Sequence, residues 1–175
     1  MTRASRMLLV ILGLVLATVA AFFVRIAKPD PDRDSYSRIE EGLYMGGLVT
    51  RPPPGTNAVL NLCRKQDPFE CQYHVWAPID DGPPAPDLRW LRQQVEFIDT
   101  RRRAGDTVYV HCGVGVSRSG LVVVAYEMYK NGWTRDEALK FVRSRRSITR
   151  PNPAFMKRLL EWEHVLMKQL APDDR

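Results

Sequence analysis

The chain is poor in the residues that staple or metallate small proteins. Its three cysteines, Cys63, Cys71 and Cys112, are too few and too irregularly spaced for a disulfide scaffold. None belongs to a Cys-x-x-Cys pair, and His74, His111 and His164 show no His-x-x-x-His spacing, so zinc has no ligand pattern to rest on. Internal repeats and low-complexity tracts are missing too, which excludes solenoids and arrays. The basic run Arg101-Arg102-Arg103 falls at the end of a predicted helix, where cations complement the dipole, and nothing else resembles a nucleic-acid-binding module.

What the chain does have is an excess of base over acid, 26 Lys+Arg against 20 Asp+Glu, a net charge of +6. A basic surface suits anionic lipid heads, nucleic acid or phosphorylated partners, and charge alone does not choose among them. From Met7 to Val24 no residue is charged. That run approaches the roughly 20 apolar residues a membrane-spanning helix needs and exceeds most signal-peptide cores. Thr18-Val19-Ala20 is a tolerable cleavage site, but Phe22 and Phe23 just beyond it fit continued burial better. The expected organisation is a transmembrane anchor (or, alternatively, a signal peptide) over 1–28, an Asp/Pro-rich tether over 29–37 and one domain over 38–171. Arg3 and Arg6 precede the run, whereas Arg25, Lys28, Arg33 and Arg38 follow it. This asymmetry predicts a single-pass membrane protein with its domain in the cytoplasm, and with the domain held near lipid the membrane surface accounts for the basic charge. The oligomeric state has no sequence signal.

Within the domain, Ile39 to Met45 alternates enough for a strand, and Arg51-Pro52-Pro53-Pro54-Gly55 is an exposed loop. Ala58–Leu62 and Tyr73–Pro78 are short apolar runs of the length expected for a covered sheet interior. Asp87 is placed to cap a helix in which Leu88, Leu91, Val95 and Ile98 recur at helical spacing to about Arg103, with Gly105 ending it. Thr107 to Val110 reads as a buried strand and Leu121 to Lys130 as an apolar-faced helix. Thr134 and Glu137 make a capping box for a third helix, and Asn152-Pro153 starts a fourth, with Phe155, Leu159, Trp162 and Leu166 on its buried stripe. Such an order predicts an α/β domain around a small sheet.

The most informative stretch is His111-Cys-Gly-Val-Gly-Val-Ser-Arg-Ser-Gly120, between the buried strand and the helix after it. A helix start offers unpaired N–H groups and a partial positive charge, and glycines at 113, 115 and 120 let the backbone curl until those donors converge on one anion. Arg118 adds a planar two-pronged clamp. At the loop entrance Cys112 meets the helix dipole, the N–H groups and Arg118, all of which favour thiolate over thiol. A thiolate facing a bound phosphoryl group is a nucleophile.

At this point the sequence resembles the cysteine-dependent protein phosphatases, whose signature is His-Cys, five residues, then Arg-Ser/Thr. The following Ala125-Tyr126, the run Ser144-Arg145-Arg146, Pro151-Asn152 and Phe155 look like the dual-specificity branch, over residues 38 to 166. The resemblance implies a twisted central sheet of four to five strands flanked by helices, hydrolysis through a phosphocysteine intermediate, and no metal or cofactor. Cys112 would be the nucleophile. Gly113, Val114, Gly115, Val116, Ser117 and Arg118 would bind the substrate phosphate, their N–H groups stabilising its equatorial oxygens. The family carries its general acid on the loop corresponding to Ile79-Asp80-Asp81-Gly82, expected after a strand beside the phosphate-loop strand. Distance to the helix start at Asp87 picks Asp81, with Asp80 the alternative. Ser119 can donate to the Cys112 sulfur as it departs, or cap the helix. His111 is expected to position the loop by side-chain hydrogen bonding. Asn152 matches the asparagine that braces the loop in dual-specificity relatives, and N-capping would explain it equally. His74 and His164 receive no role. Asn61-Leu62-Cys63 is similar to a tripeptide of the tensin-type phosphoinositide phosphatases, which makes Cys63 either a reversible redox partner of Cys112 or a buried strand-end cysteine.

The loop lacks the lysines with which tensin-type enzymes meet extra inositol phosphates, so the expected substrate is a protein carrying phosphotyrosine and/or phosphoserine/phosphothreonine. A membrane-anchored phosphatase of a lipid monophosphate and a catalytically silent phosphate-binding module of the same fold are the alternatives. Turnover of an aryl phosphate separates the enzymes from the module.

Overall fold

The computed structural model describes residues 35–170. Its sheet has five strands, β1 (Tyr36–Glu40), β2 (Leu43–Gly46), β3 (Thr56–Asn61), β4 (Tyr73–Trp76) and β5 (Thr107–His111), in the order β1-β2-β5-β3-β4. β1 and β2 pair antiparallel, and the remaining pairs are parallel, so the sheet is mixed. Four helices accompany it: α1 (Leu88–Arg103), α2 (Arg118–Asn131), α3 (Arg135–Arg145) and α4 (Pro153–Leu170).

The strand expected over Ile39–Met45 is a hairpin. Gly42 takes φ +68°, a left-handed turn that glycine adopts without a Cβ penalty, and the chain doubles back there. β1 begins at Tyr36, inside the stretch expected as tether. β4 is shorter than expected and is not interior. It forms the sheet edge, with its residues alternating between half-buried and exposed, because only one of its faces meets the core. The strand leading to Asp80 and Asp81 therefore does not lie beside β5, since β3 intervenes. The anchor expected over 1–28 lies outside the described residues. Among the described residues no helix is long and apolar enough to cross a membrane.

The main core lies between one sheet face and the helices. Leu43 and Met45 of β2, Ala58 and Leu60 of β3, and Val108 and Val110 of β5 face Leu91, Val95 and Ile98 of α1, Leu121 and Ala125 of α2, and Phe155, Leu159 and Trp162 of α4. On the opposite face Val59 and Tyr109 are covered by Val49, Phe69 and Cys71 from loops. The expected caps are present. Asp87 accepts the Trp90 N–H at 2.7 Å, and Thr134 and Glu137 cap each other's backbone. At the other end of α1, Arg101 lies 4.0 Å over the Tyr73 ring and Arg102 donates to the Asp106 carbonyl.

α2 departs from expectation in being sunk on every side. Ser119 through Met128 are all buried, as befits a helix that packs against α1, α3 and α4 as well as the sheet. The element that starts at the phosphate loop is thus the most deeply held helix in the domain.

Candidate active site

β5 delivers Cys112 to the edge of the core with 1% of its surface exposed. Beyond it the loop carbonyls turn outward, each onto a named donor. Gly113 O accepts from the Leu48 N–H (3.2 Å), Val114 O from Arg146 Nη2 (3.1 Å), Gly115 O from Arg146 Nε (2.7 Å) and Val116 O from the Arg150 N–H (2.9 Å). On the inner side the Gly115 N–H points at Cys112 Sγ, 3.3 Å away. Gly115 has φ +73°, and a Cβ on it would stand 2.3 Å from the Gly46 carbonyl carbon, so only glycine lets the loop lie against the end of β2.

Burial alone would push the Cys112 thiol up. Hydrogen bonds from the Ser119 hydroxyl and N–H and from the Gly115 N–H, with the charge of Arg118, overcome that and hold it below the ordinary thiol value. Ser119 Oγ sits 3.4 Å from Sγ, as the sequence predicts.

Arg118 opens α2, and its Nη1 spans to the carbonyls of Leu62 and Ile79, both at 3.4 Å. Those two contacts explain how an edge strand supplies Asp81. After β4 the chain continues along the end of β3, with the Ala77 N–H on Asn61 O and the Ile79 N–H on Leu62 O, and so turns inward over Arg118. Asp81 Oδ1 accepts from Ser117 Oγ (2.5 Å) and Asn152 Nδ2 (3.0 Å), while its Oδ2 stands 3.8 Å from Arg118 Nε. Asp80 instead pairs in two-pronged fashion with Arg64 at the surface, its side chain 69% exposed. Asn152 caps α4, its Oδ1 accepting the Phe155 N–H, and its side-chain amide reaches Asp81 rather than the phosphate loop, which it meets at Ser117 through its backbone N–H.

His111 departs from expectation. Its ring makes no bond to the phosphate loop, but stacks on Tyr109 and meets Asp67 Oδ2 through Nε2 at 3.1 Å. Asp67, whose side chain is wholly buried, also takes Asn61 Nδ2 and His74 Nε2 on that oxygen, both at 2.9 Å. His74, to which the sequence assigns nothing, thus helps hold the β3–β4 loop. Burial opposes ionisation of Asp67, yet the bonds from His111, His74 and Asn61 hold its carboxyl below the usual carboxylate range. A carboxylate only accepts, so Nε2 of His111 carries a hydrogen, while Nδ1 faces Cys63 Sγ, 3.9 Å away. Burial, then the charges of Cys112 and Asp67, push the Cys63 thiol up to about 11, with Arg118 opposing.

Two participants are missed by sequence reasoning. Arg146 is quoted there only within the run Ser144-Arg145-Arg146 and given no role, and Asp67 is not singled out. Neither has a local signal for its role, since the loop carbonyls that Arg146 holds and the His111 ring that Asp67 meets lie far along the chain.

Residues 55–165 match the family "Dual specificity phosphatase, catalytic domain". The chain is 34% identical over 144 residues to human Protein phosphatase Slingshot homolog 2, covering 77% of this chain but only 10% of that protein. It is 32% identical over 149 residues to Dual specificity protein phosphatase 1 of Arabidopsis thaliana, covering 80% of this chain and 75% of the relative. A mouse putative dual specificity phosphatase, solved as a complex with zinc tungstate, superposes with a TM-score of 0.72 at 26% identity over 82% of this chain and 92% of that one. The chain belongs to the dual-specificity branch of the cysteine-dependent phosphatases.

Proposed function

We propose that the protein hydrolyses phosphomonoesters on proteins, at tyrosine and/or serine and threonine, through a phosphocysteine intermediate. The observation that carries this reading is the placing of Asp81 within reach of Arg118 and Ser117, across the phosphate loop from the depressed thiol of Cys112. The thiolate attacks phosphorus, the phosphorus–oxygen bond to the leaving group breaks, and the Asp81 carboxyl delivers its proton to the departing oxygen. Arg118 and the loop N–H groups hold the equatorial oxygens. In the second step the Asp81 carboxylate takes a proton from water, which attacks phosphorus while Ser119 donates to the sulfur as it leaves. The names of the Slingshot and Arabidopsis relatives support protein as the substrate class. The uncharged run Met7–Val24 supports a single-pass anchor that keeps the domain at the cytoplasmic membrane face.

Hydrolysis of p-nitrophenyl phosphate by the full chain in mild detergent, with reductant and chelator, tests the chemistry. Cys112→Ser is expected to be inert and Asp81→Asn to lose about a hundredfold or more in kcat. Asp80→Asn is expected to stay within a few fold, since Asp80 pairs with exposed Arg64 at the surface. A reduced, folded protein that binds phosphate without turnover would make this a phosphate-binding module instead.

A further inference from the structure

Four consecutive loop carbonyls, those of residues 113 to 116, face away from Cys112. Two are held by backbone N–H groups, of Leu48 and Arg150, which no substitution other than proline removes. The other two are held by one side chain, that of Arg146. Peptide units are planar and trans, so fixing a carbonyl on one side of the chain directs the N–H of the next residue to the other side. Holding Val114 O and Gly115 O outward therefore turns the Gly115 and Val116 N–H groups inward, and the first of these already reaches Sγ.

Arg146 is built into this position. Its residue surface is 6% exposed, its third contact is Ser37 Oγ, and no carboxylate among the described residues neutralises it. Its own carbonyl accepts from both the N–H and the hydroxyl of Thr149, a turn that fixes where the side chain leaves the backbone just past α3. Burying a guanidinium without a carboxylate partner is costly, and the two loop carbonyls are its principal hydrogen-bond partners.

We propose that Arg146 is a positioning residue of the phosphate loop, gripping the Val114 and Gly115 carbonyls so that the Gly115 and Val116 N–H groups converge on Cys112 and on a bound oxyanion. The proposal rests on the phosphate-site reading above but not on turnover. A lysine can keep the charge but cannot reproduce the rigid two-pronged donor geometry.

The test uses the full chain in mild detergent under reductant. Tungstate affinity is measured by calorimetry, and the pH midpoint of Cys112 alkylation by mass mapping of its peptide. In Arg146→Met, tungstate affinity is expected to fall about tenfold or more, with the alkylation midpoint displaced upward. Arg146→Lys should lie between this variant and the unaltered chain. A folded Arg146→Met that binds tungstate within about twofold of the unaltered chain and keeps its midpoint would overturn the proposal and leave Arg146 a purely structural residue. An Arg146→Lys variant matching the unaltered chain in both readings would overturn the two-carbonyl grip. If Arg146→Met does not fold, the lysine variant decides by the same readings. An unaltered chain that binds tungstate but never hydrolyses aryl phosphate defeats the hydrolase reading while leaving these measurements intact. Unchanged kcat and KM in Arg146→Met defeat the positioning role alone.

Discussion

Cys112 and Cys63 are both buried thiols, and what separates them is the donors around each. Cys112 receives N–H and hydroxyl hydrogens from Gly115 and Ser119, whereas the Cys63 thiol is held up by burial and the negative field of Cys112 and Asp67. Iodoacetamide at about pH 7 should therefore modify Cys112 first, with Cys63 and half-buried Cys71, whose thiol burial also raises, lagging behind it. Peptide mapping with time reads that order directly. If Cys63 is also the redox partner, peroxide-treated protein should recover with reductant, and Cys63→Ser should lose that recovery. Asp67 carries a different expectation. Its ionised form stabilises the fold above the pKa of an unfolded aspartate, and that stability is lost as pH falls through the lower folded value. Asp67→Asn should cost about 1–3 kcal/mol near neutrality and flatten the acid limb of denaturant stability. An acid limb as steep as that of the unaltered chain would show that other carboxylates set it.

At the scale of elements, α2 and the segment from Arg146 to Asn152 form the two walls of the phosphate loop. The helix is immersed so deeply that it also buries Glu127, with Asn131 Nδ2 on one of its oxygens and Glu40 as a like-charged neighbour. Burial first, and then Glu40, push its carboxyl up to about 7. The folded state thus holds a proton that the unfolded chain has released, and stability falls as pH rises from the ordinary glutamate value through about 7. Glu127→Gln removes both the repulsion and the desolvated charge. Above that pH it should gain on the order of 1–3 kcal/mol, with little change in acid. Melting temperatures across the pH range measure it, and an equal gain at every pH would point to packing rather than charge.

For the whole molecule, the expectation is a domain held on a membrane by its first 28 residues. The full chain should stay with membranes through alkaline carbonate and a chain lacking 1–28 should not, whereas N-terminal sequencing that begins after Ala20 would reveal a cleaved signal instead. Much of the catalytic domain was legible in the linear chain because its signals are local. The residues from His111 to Gly120 encode the turn, the donors and the cysteine they surround within one loop, and Asp87 and Thr134 with Glu137 encode their helix starts within one turn. Three things were not legible. β4 is an edge strand because of the order in which strands pair, which a short apolar run does not reveal. Distance to Asp87 favours Asp81 over Asp80, but the contacts that hold Asp81, with Ser117 and Asn152, 36 and 71 positions away, leave no mark in the sequence. Arg146 is distinguished from its neighbouring arginines only by the carbonyls of Val114 and Gly115, 32 and 31 positions back. Sequence by itself determined the fold class, the glycine-rich loop and the place of Cys112 at its entrance, since those depend on backbone conformation set by adjacent residues. Tertiary structure alone decided which distant side chains orient them, because a hydrogen bond exists only once the sheet register and helix packing have brought donor and acceptor within about 3 Å.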